Sequence, residues 1–364
     1  MREKKGKIDY WLFFIVFVLC CIGMIMVLSA SQYSAAYEFG DSYYYLKRQI
    51  FNIAVGFVAM FLAIKIDYRI YGKLCWPIFF AGVALMLLVM LSGFGAEGGG
   101  SERWIQLGPI RFQPSDVMKL SMLVLLCQQL AEPSIYFAGK TLPYLIIVGI
   151  SCIIVAINDL GTGIVMGGTA MLLLIIGGMK LRYLFGLFGA GLAGVAFMVA
   201  LRPYRLKRLT SFLDPWADYY GNGYQVVQSL LAIGSGGLMG VGLGEGGAKW
   251  FYLPERHTDF IFAILVEEGG LLAGLVLLLL FLAFTWRGLT IAMRVKDSFG
   301  RLMAAGLTLM ITVQALVNIA IALGMMPVTG ITLPFISYGG TSLVISLAAV
   351  GVLLNISKSA KMKK

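Results

Sequence analysis

Roughly ten stretches of this 364-residue chain are apolar over the length of a lipid bilayer: 10–31, 49–66, 74–93, 115–131, 142–157, 159–179, 183–201, 259–285, 302–323 and 341–356. A helix needs about 20 residues to cross the hydrocarbon core. Inside that core no water is available, so each backbone N–H and C=O must find a partner within the protein. These two requirements point to an all-α polytopic membrane protein of about ten transmembrane helices, with 1–364 forming one integral-membrane domain. A composition that is 59% hydrophobic and 13% charged excludes an ordinary soluble domain. The first run is long and no small-residue cleavage site stands out after it, so it is expected to remain as a span. The break at Asn158-Asp159 separates two short runs; reading them as one would invert everything downstream.

Charge tests the count. With the N-terminus inside, the cytoplasmic face receives Arg2, Lys4, Lys5 and Lys7, the connections at 65–73 and 286–301, and the lysines of the C-terminal tail. More than half of the 29 basic residues then lie inside, as the positive-inside rule requires. Both termini are therefore expected in the cytoplasm, with a large extracytoplasmic loop, 202–258, between spans seven and eight. The basic residues sit where membrane topology puts them, so the net charge of +11 does not indicate nucleic acid. All five cysteines lie in spans, without a CxxC pair or a loop cysteine, and read as small apolar residues. Tyr10, Trp11, Trp76 and Trp286 sit near span ends as interfacial anchors.

Polar chemistry collects in the outer connections. In "LPERHTDFIFA", the lone histidine, His257, and the carboxylate of Asp259 stand at the lip of an apolar span. A carboxylate there is costly unless something uses it. In "QPSDVMKL", Asp116 and Lys119 are three apart and share a helix face; a capping acid with a snorkelling lysine explains that spacing as well as a binding pair does. Arg103 precedes them in "ERW", where an interfacial anchor is the plainer reading. Within 202–258, "QVVQSLLAI" predicts a short amphipathic helix on the membrane surface. "GSGGLMGVGLGEGG" reads either as a flexible loop or as a built turn region, and lacks the GK[ST] of a phosphate-binding loop. The segment "MMPVTGITLPFISYGGTSL" breaks helix and is expected to re-enter or line a cavity. Asp159, Glu267 and Glu268 fall inside spans, open to a packing or a functional role. This surface suits an anionic, lipid-linked substrate, and the residues alone do not separate an enzyme from a transporter.

Several long motifs occur in order: "RWIQLGPIRFQPSDVMKL", "NDLGTGIV", "DPWADYYGNGYQVVQSLLAIGSGGLMGVGLG", "KWFYLPERHTDFIFAILVEEGG" and "PVTGITLPFISYGGTSL". In these the chain resembles the SEDS family (FtsW, RodA, SpoVE) over nearly its whole length, and "DPW…GYQ" with "KWFYLPE" is similar to the FtsW/SpoVE branch. The resemblance implies a peptidoglycan glycosyltransferase that polymerises lipid II on the outer face of the bacterial cytoplasmic membrane, in septal or sporulation synthesis. It also implies a class B penicillin-binding protein as transpeptidase partner, alongside other division proteins at the septum.

Carried over by motif, the family's key carboxylate falls on Asp259 and its polar pair on Asp116 and Lys119. Asp116 stands where the family usually has Glu, one methylene longer. "NDLGT" lacks the more usual proline before the aspartate. Asp259 is expected to act as general base on the acceptor hydroxyl. Lys119, Arg103, Arg208 and Arg256 are expected to steady the leaving phosphates, with Asp116 beside them and His257 orienting the loop. No protein-held cofactor or metal cage is expected; a divalent cation, Mg2+ or Mn2+, has a place only at the pyrophosphate. The competing classes are a lipid II flippase that uses Asp159, Glu267 and Glu268 as a relay, and a non-catalytic scaffold.

Overall fold

In the computed structural model, residues 6–92, 95–98, 101–107, 110–132, 141–200, 203–250 and 253–360 are described. A helix lies on each apolar run: α1 (Tyr10–Phe39), α2 (Tyr44–Lys65), α4 (Cys75–Ser92), α5 (Pro114–Ala131), α6 (Thr141–Asn158), α7 (Leu160–Ile176), α8 (Leu181–Ala200), α11 (Ile261–Arg294), α12 (Ser298–Ala322) and α13 (Gly340–Ser357). Short helices α3 (Tyr68–Lys73), α9 (Pro203–Leu213) and α10 (Tyr224–Gly236) complete the helical set. Among the described residues, α1, α2, α8, α11, α12 and α13 contain stretches long and apolar enough to cross a membrane, and α4, α6 and α7 contain shorter apolar helices. The chain is thus a multi-pass membrane protein.

Aspartates set where several helices begin. Asp9, Asp67, Asp159 and Asp297 each accept a backbone N–H of the first turn, from Leu12 (3.0 Å), Arg69 (3.0 Å), Thr162 (3.1 Å) and Gly300 (2.9 Å). This satisfies donors that the helix cannot satisfy itself. Asp159 separates α6 from α7, so the two short runs are two helices, as the charge pattern required.

Helix α12 occupies the centre, packed against α11, α7, α5 and α13, and α13 packs along α2. Helix α8 lies outermost, with Phe185, Phe188 and Phe197 exposed. Residues near both termini meet at one end of the bundle. There Gly6 donates to the Lys358 carbonyl (2.7 Å), Arg287 pairs with Asp9 (2.5 Å), and Lys358 reaches the Ile64 carbonyl (2.9 Å). The polar connections gather at the opposite end.

Two features differ from the sequence reading. The connection 94–114 contains an antiparallel three-stranded sheet, β1 (Gly95–Gly98), β2 (Ser101–Leu107) and β3 (Ile110–Phe112), with Ile105 opposite Phe112 and Leu107 opposite Ile110. Helix α10 forms where expected. However, it buries Val226, Val227 and Ala232 against its neighbours, and Ser229 donates to the Ala322 carbonyl (2.7 Å), so it is part of the bundle.

The glycine-rich segment, open in the sequence between a flexible loop and a built turn region, is a built strap. Helix α11 is interrupted at Gly270 (φ 71°, ψ −177°), and the strap meets the backbone groups this frees. Val241 and Gly242 N–H donate to the Glu267 and Glu268 carbonyls (3.0 and 3.1 Å). Leu271 and Leu272 N–H donate to the Gly237 and Leu238 carbonyls (2.9 and 3.3 Å). Gly240 (φ 81°) allows the approach: a Cβ there would lie 2.1 Å from the Glu268 carbonyl oxygen. Broken helix in a membrane protein is tolerated where such repairs exist.

Candidate functional site

Asp259 lies in a turn that ends one residue before α11 begins at Ile261, and its side chain is partly exposed. The turn is fixed through its backbone. Asn318 of α12 donates to the Asp259 carbonyl (2.7 Å), Ser337 donates to the Thr258 carbonyl (2.5 Å), and Tyr338 N–H donates to the His257 carbonyl (2.9 Å). Ser337 and Tyr338 belong to the proline- and glycine-broken segment, which therefore wraps the turn rather than merely following α12. Among the described residues, the two non-glycine residues with positive φ are Glu255 (51°) and Phe335 (67°), one in each of these two segments. Such conformations cost about 1–3 kcal/mol and persist where surrounding structure over-determines them.

His257 packs its ring on Tyr45 (centroids 4.5 Å) and against the edge of Tyr338 (5.7 Å). Burial pushes its pKa down to about 4, which keeps the imidazole neutral near pH 7. A neutral ring clamped between two tyrosines orients the turn, and that pKa makes it a poor proton acceptor.

Asp116 and Lys119 form a buried ion pair (2.9 Å), so the lysine does not snorkel. Lys119 also donates to the Gln314 side-chain oxygen (2.6 Å), and the Gln314 amide donates to the Thr332 carbonyl (3.0 Å). Gln314 and Asn318 are four apart on α12 and share a face. Asn318 additionally donates to the Ile331 carbonyl (2.6 Å). Through these two amides α12 joins the Asp116–Lys119 pair and the Asp259 turn to adjacent residues, Ile331 and Thr332, of one wrapping segment.

Arg208, on α9, donates to the Val328 carbonyl (3.1 Å) at the start of the same segment. Arg256 is buried and donates to the carbonyls of Ala30 (3.2 Å) and Leu253 (3.3 Å), fastening the turn to α1. Arg103 lies on β2, and its side chain is outside the described residues. Among the described residues no group of three or more His, Cys, Asp or Glu side chains gathers to hold a metal ion. The intramembrane acids have fixed partners. Asp159 caps α7 and accepts from Gln113 (2.9 Å) and Ser115 (3.2 Å); Glu267 accepts the Gly247 N–H (2.7 Å); Glu268 pairs with Lys249 (3.0 Å).

The sequence and the fold are shared with a known group of proteins. A family model described as a cell cycle protein, FtsW/RodA/SpoVE, matches residues 10–362. The chain belongs to the FtsW/RodA/SpoVE family. Stage V sporulation protein E of Bacillus subtilis is 44% identical over 99% of this chain and 100% of its own length. A probable peptidoglycan glycosyltransferase FtsW of a Geobacter species is 40% identical over 98% of each. Among solved structures, a chain of a peptidoglycan synthase complex described as coordinating polymerization and crosslinking superposes with a TM-score of 0.78 at 31% identity. The alignment covers 98% of this chain and 99% of that one. The rod shape determining protein RodA of Thermus thermophilus gives 0.71 at 27% identity, covering 98% of both.

Within this FtsW/RodA/SpoVE chain, Gln314 and Asn318 went unread in the sequence. Their only signal was two amides one turn apart in an otherwise apolar span. Replacing Asn318 with Leu removes the donor from two carbonyls, at about 1–3 kcal/mol for each one left unpaired. The variant is expected to melt lower and to lose about tenfold or more in turnover, since the Asp259 turn loses its tie to α12. Thermal melting together with a polymerisation assay checks this.

Proposed function

We propose that this protein is a peptidoglycan glycosyltransferase that polymerises lipid II on the outer face of the bacterial cytoplasmic membrane, serving septal or sporulation wall synthesis. The observation that carries the reading is the Asp259 turn, held by Asn318 and Ser337 and joined through α12 to the Lys119–Asp116 pair. In the reaction, Asp259 takes the proton of the acceptor sugar's 4-hydroxyl. The oxygen attacks C1 of the donor sugar, and the bond from C1 to the pyrophosphate oxygen breaks. The lipid pyrophosphate leaves with the bonding electrons.

Positive charge near the leaving group lowers the barrier; Lys119, Arg103, Arg208 and Arg256 are the candidates, with Asp116 holding the Lys119 ammonium in place. Helix α13 begins at Gly340 without a side-chain cap, and the partial positive charge of a helix start suits a phosphate. Where a divalent cation takes part, the pyrophosphate oxygens would hold it, and it would supply further charge neutralisation there.

The topology proposed is ten crossings, both termini cytoplasmic and 202–258 outside, which sets Asp259 at the outer lip. A flippase reading is disfavoured by the engagement of Asp159, Glu267 and Glu268, the acids that a relay would use, in fixed hydrogen bonds and an ion pair.

The partner proposed is a single-span class B penicillin-binding protein, in line with the synthase complex to which one structural relative belongs. The test is direct. Purified protein in detergent, with lipid II and that transpeptidase, is expected to make glycan strands, and more of them than the chain alone. Absence of strands with both proteins present would overturn the enzyme reading, and lipid II translocation in vesicles without polymer would establish the transport one.

A further inference from the structure

Lys249 and Glu268 lie outside the contacts described around Asp259, yet they form a buried ion pair (3.0 Å) with side chains only 1% exposed. Ser29 of α1 completes the cluster, its hydroxyl lying 2.6 and 2.7 Å from the two Glu268 carboxylate oxygens. The neighbouring residues reinforce the junction. Gly247 and Ala248 N–H donate to the Glu267 carboxylate (2.7 and 3.1 Å), and the Trp250 ring lies on Tyr33 of α1 (centroids 3.8 Å).

Lys249 and Glu268 are 19 residues apart, and Asp259 stands midway between them. The pair therefore ties the connection that leads to Asp259 to α11 about two turns beyond it. An ion pair is an expensive way to make this junction, because both charges must leave water, and apolar residues of similar size often stabilise as well or better. What charge and the Ser29 hydrogen bond add is a single geometry.

We propose that Lys249 and Glu268 are positioning residues for Asp259: with Ser29 they lock the connection before Asp259 onto the helix after it, and so set where the carboxylate meets the acceptor hydroxyl. The proposal rests on the reading of Asp259 as general base. Misplacement of a reacting group by about 1 Å can cost about 10² in rate, so the effect should fall on kcat.

The experiment compares Lys249→Met, Glu268→Met and the double variant, each as full-length protein with its transpeptidase partner, by melting temperature and lipid II polymerisation kinetics. Each single variant leaves one charge buried without its partner. Both are expected to melt lower and to lose at least about tenfold in kcat. The double variant is expected to recover the melting temperature while kcat stays at least about tenfold low and KM moves by less than about threefold.

Recovery of kcat together with melting temperature would make the pair a stabilising contact only and overturn the proposal, as would wild-type kcat in Lys249→Met. If the double variant yields no folded protein, Ser29→Ala decides, since it removes one hydroxyl from Glu268. A kcat loss of about threefold or more at unchanged KM supports positioning, and wild-type kcat overturns it. Asp259→Asn assayed in parallel separates the two readings. Full activity there removes the general base itself, whereas an inactive Asp259→Asn beside a fully active Lys249→Met removes this inference alone.

Discussion

Asp259→Asn is expected to lower lipid II polymerisation by about 10² to 10⁴, the usual cost of removing a general base, while leaving a folded protein that still binds its transpeptidase. The structure explains why the fold should survive. Asn318 holds the turn through the Asp259 backbone carbonyl, and Ser337 and Tyr338 hold it through the carbonyls of Thr258 and His257. All three contacts are indifferent to the side chain at 259. Asp259→Glu keeps the basic group and moves it outward by one methylene, so it should regain little. Steady-state polymerisation, with gel filtration of the complex as the folding check, reads both variants. Near-normal strand synthesis by the well-folded Asn variant would remove Asp259 from the mechanism.

The second large effect lies in the strap. At Gly240 an added Cβ meets the Glu268 carbonyl oxygen at 2.1 Å, and φ is 81°. An L-residue in that conformation costs about 1–2 kcal/mol. Moving the strap away also loosens the Val241 and Gly242 hydrogen bonds, each worth about 1 kcal/mol net. Gly240→Ala is therefore expected to destabilise by about 3–4 kcal/mol, a size that lowers membrane yield and melting temperature. Gly234→Ala is the matched control. It lies within α10, nothing stands within 4 Å of its Cβ, and alanine favours helix over glycine by about 1 kcal/mol. Equal losses in the two variants would show that the strap does not depend on this close approach.

The helices were legible in the sequence because the bilayer imposes one length and one polarity on each. Asp259 was legible for a different reason: a carboxylate and the lone histidine beside a membrane-length run, inside a long motif. The partners of these residues were not. Gln314 meets Lys119 across 195 positions, and Asn318 meets Asp259 across 59, and no local pattern encodes such distances. Lys249 was passed over because a lysine in a glycine-rich loop reads as solvated, and only burial against Glu268 and Ser29 reveals its role. The small sheet was missed because its strands are short and were read for their charges and helix-start signals instead of for pairing.

The interruption of α11 also has a mechanical meaning. An intact helix carries torsion along its axis through the bonds that join each N–H to the carbonyl four residues earlier. At 271 and 272 those bonds are replaced: the donors turn to Gly237 and Leu238, and the carbonyls of Glu267 and Glu268 turn to Val241 and Gly242. The half of α11 that follows Asp259 is thus joined to the connection between α10 and α11. The half that runs on to Arg294 is tied to the same strap through Leu271 and Leu272. The strap thus splices the two halves across Gly270, and a displacement of it enters α11 about two turns beyond the carboxylate.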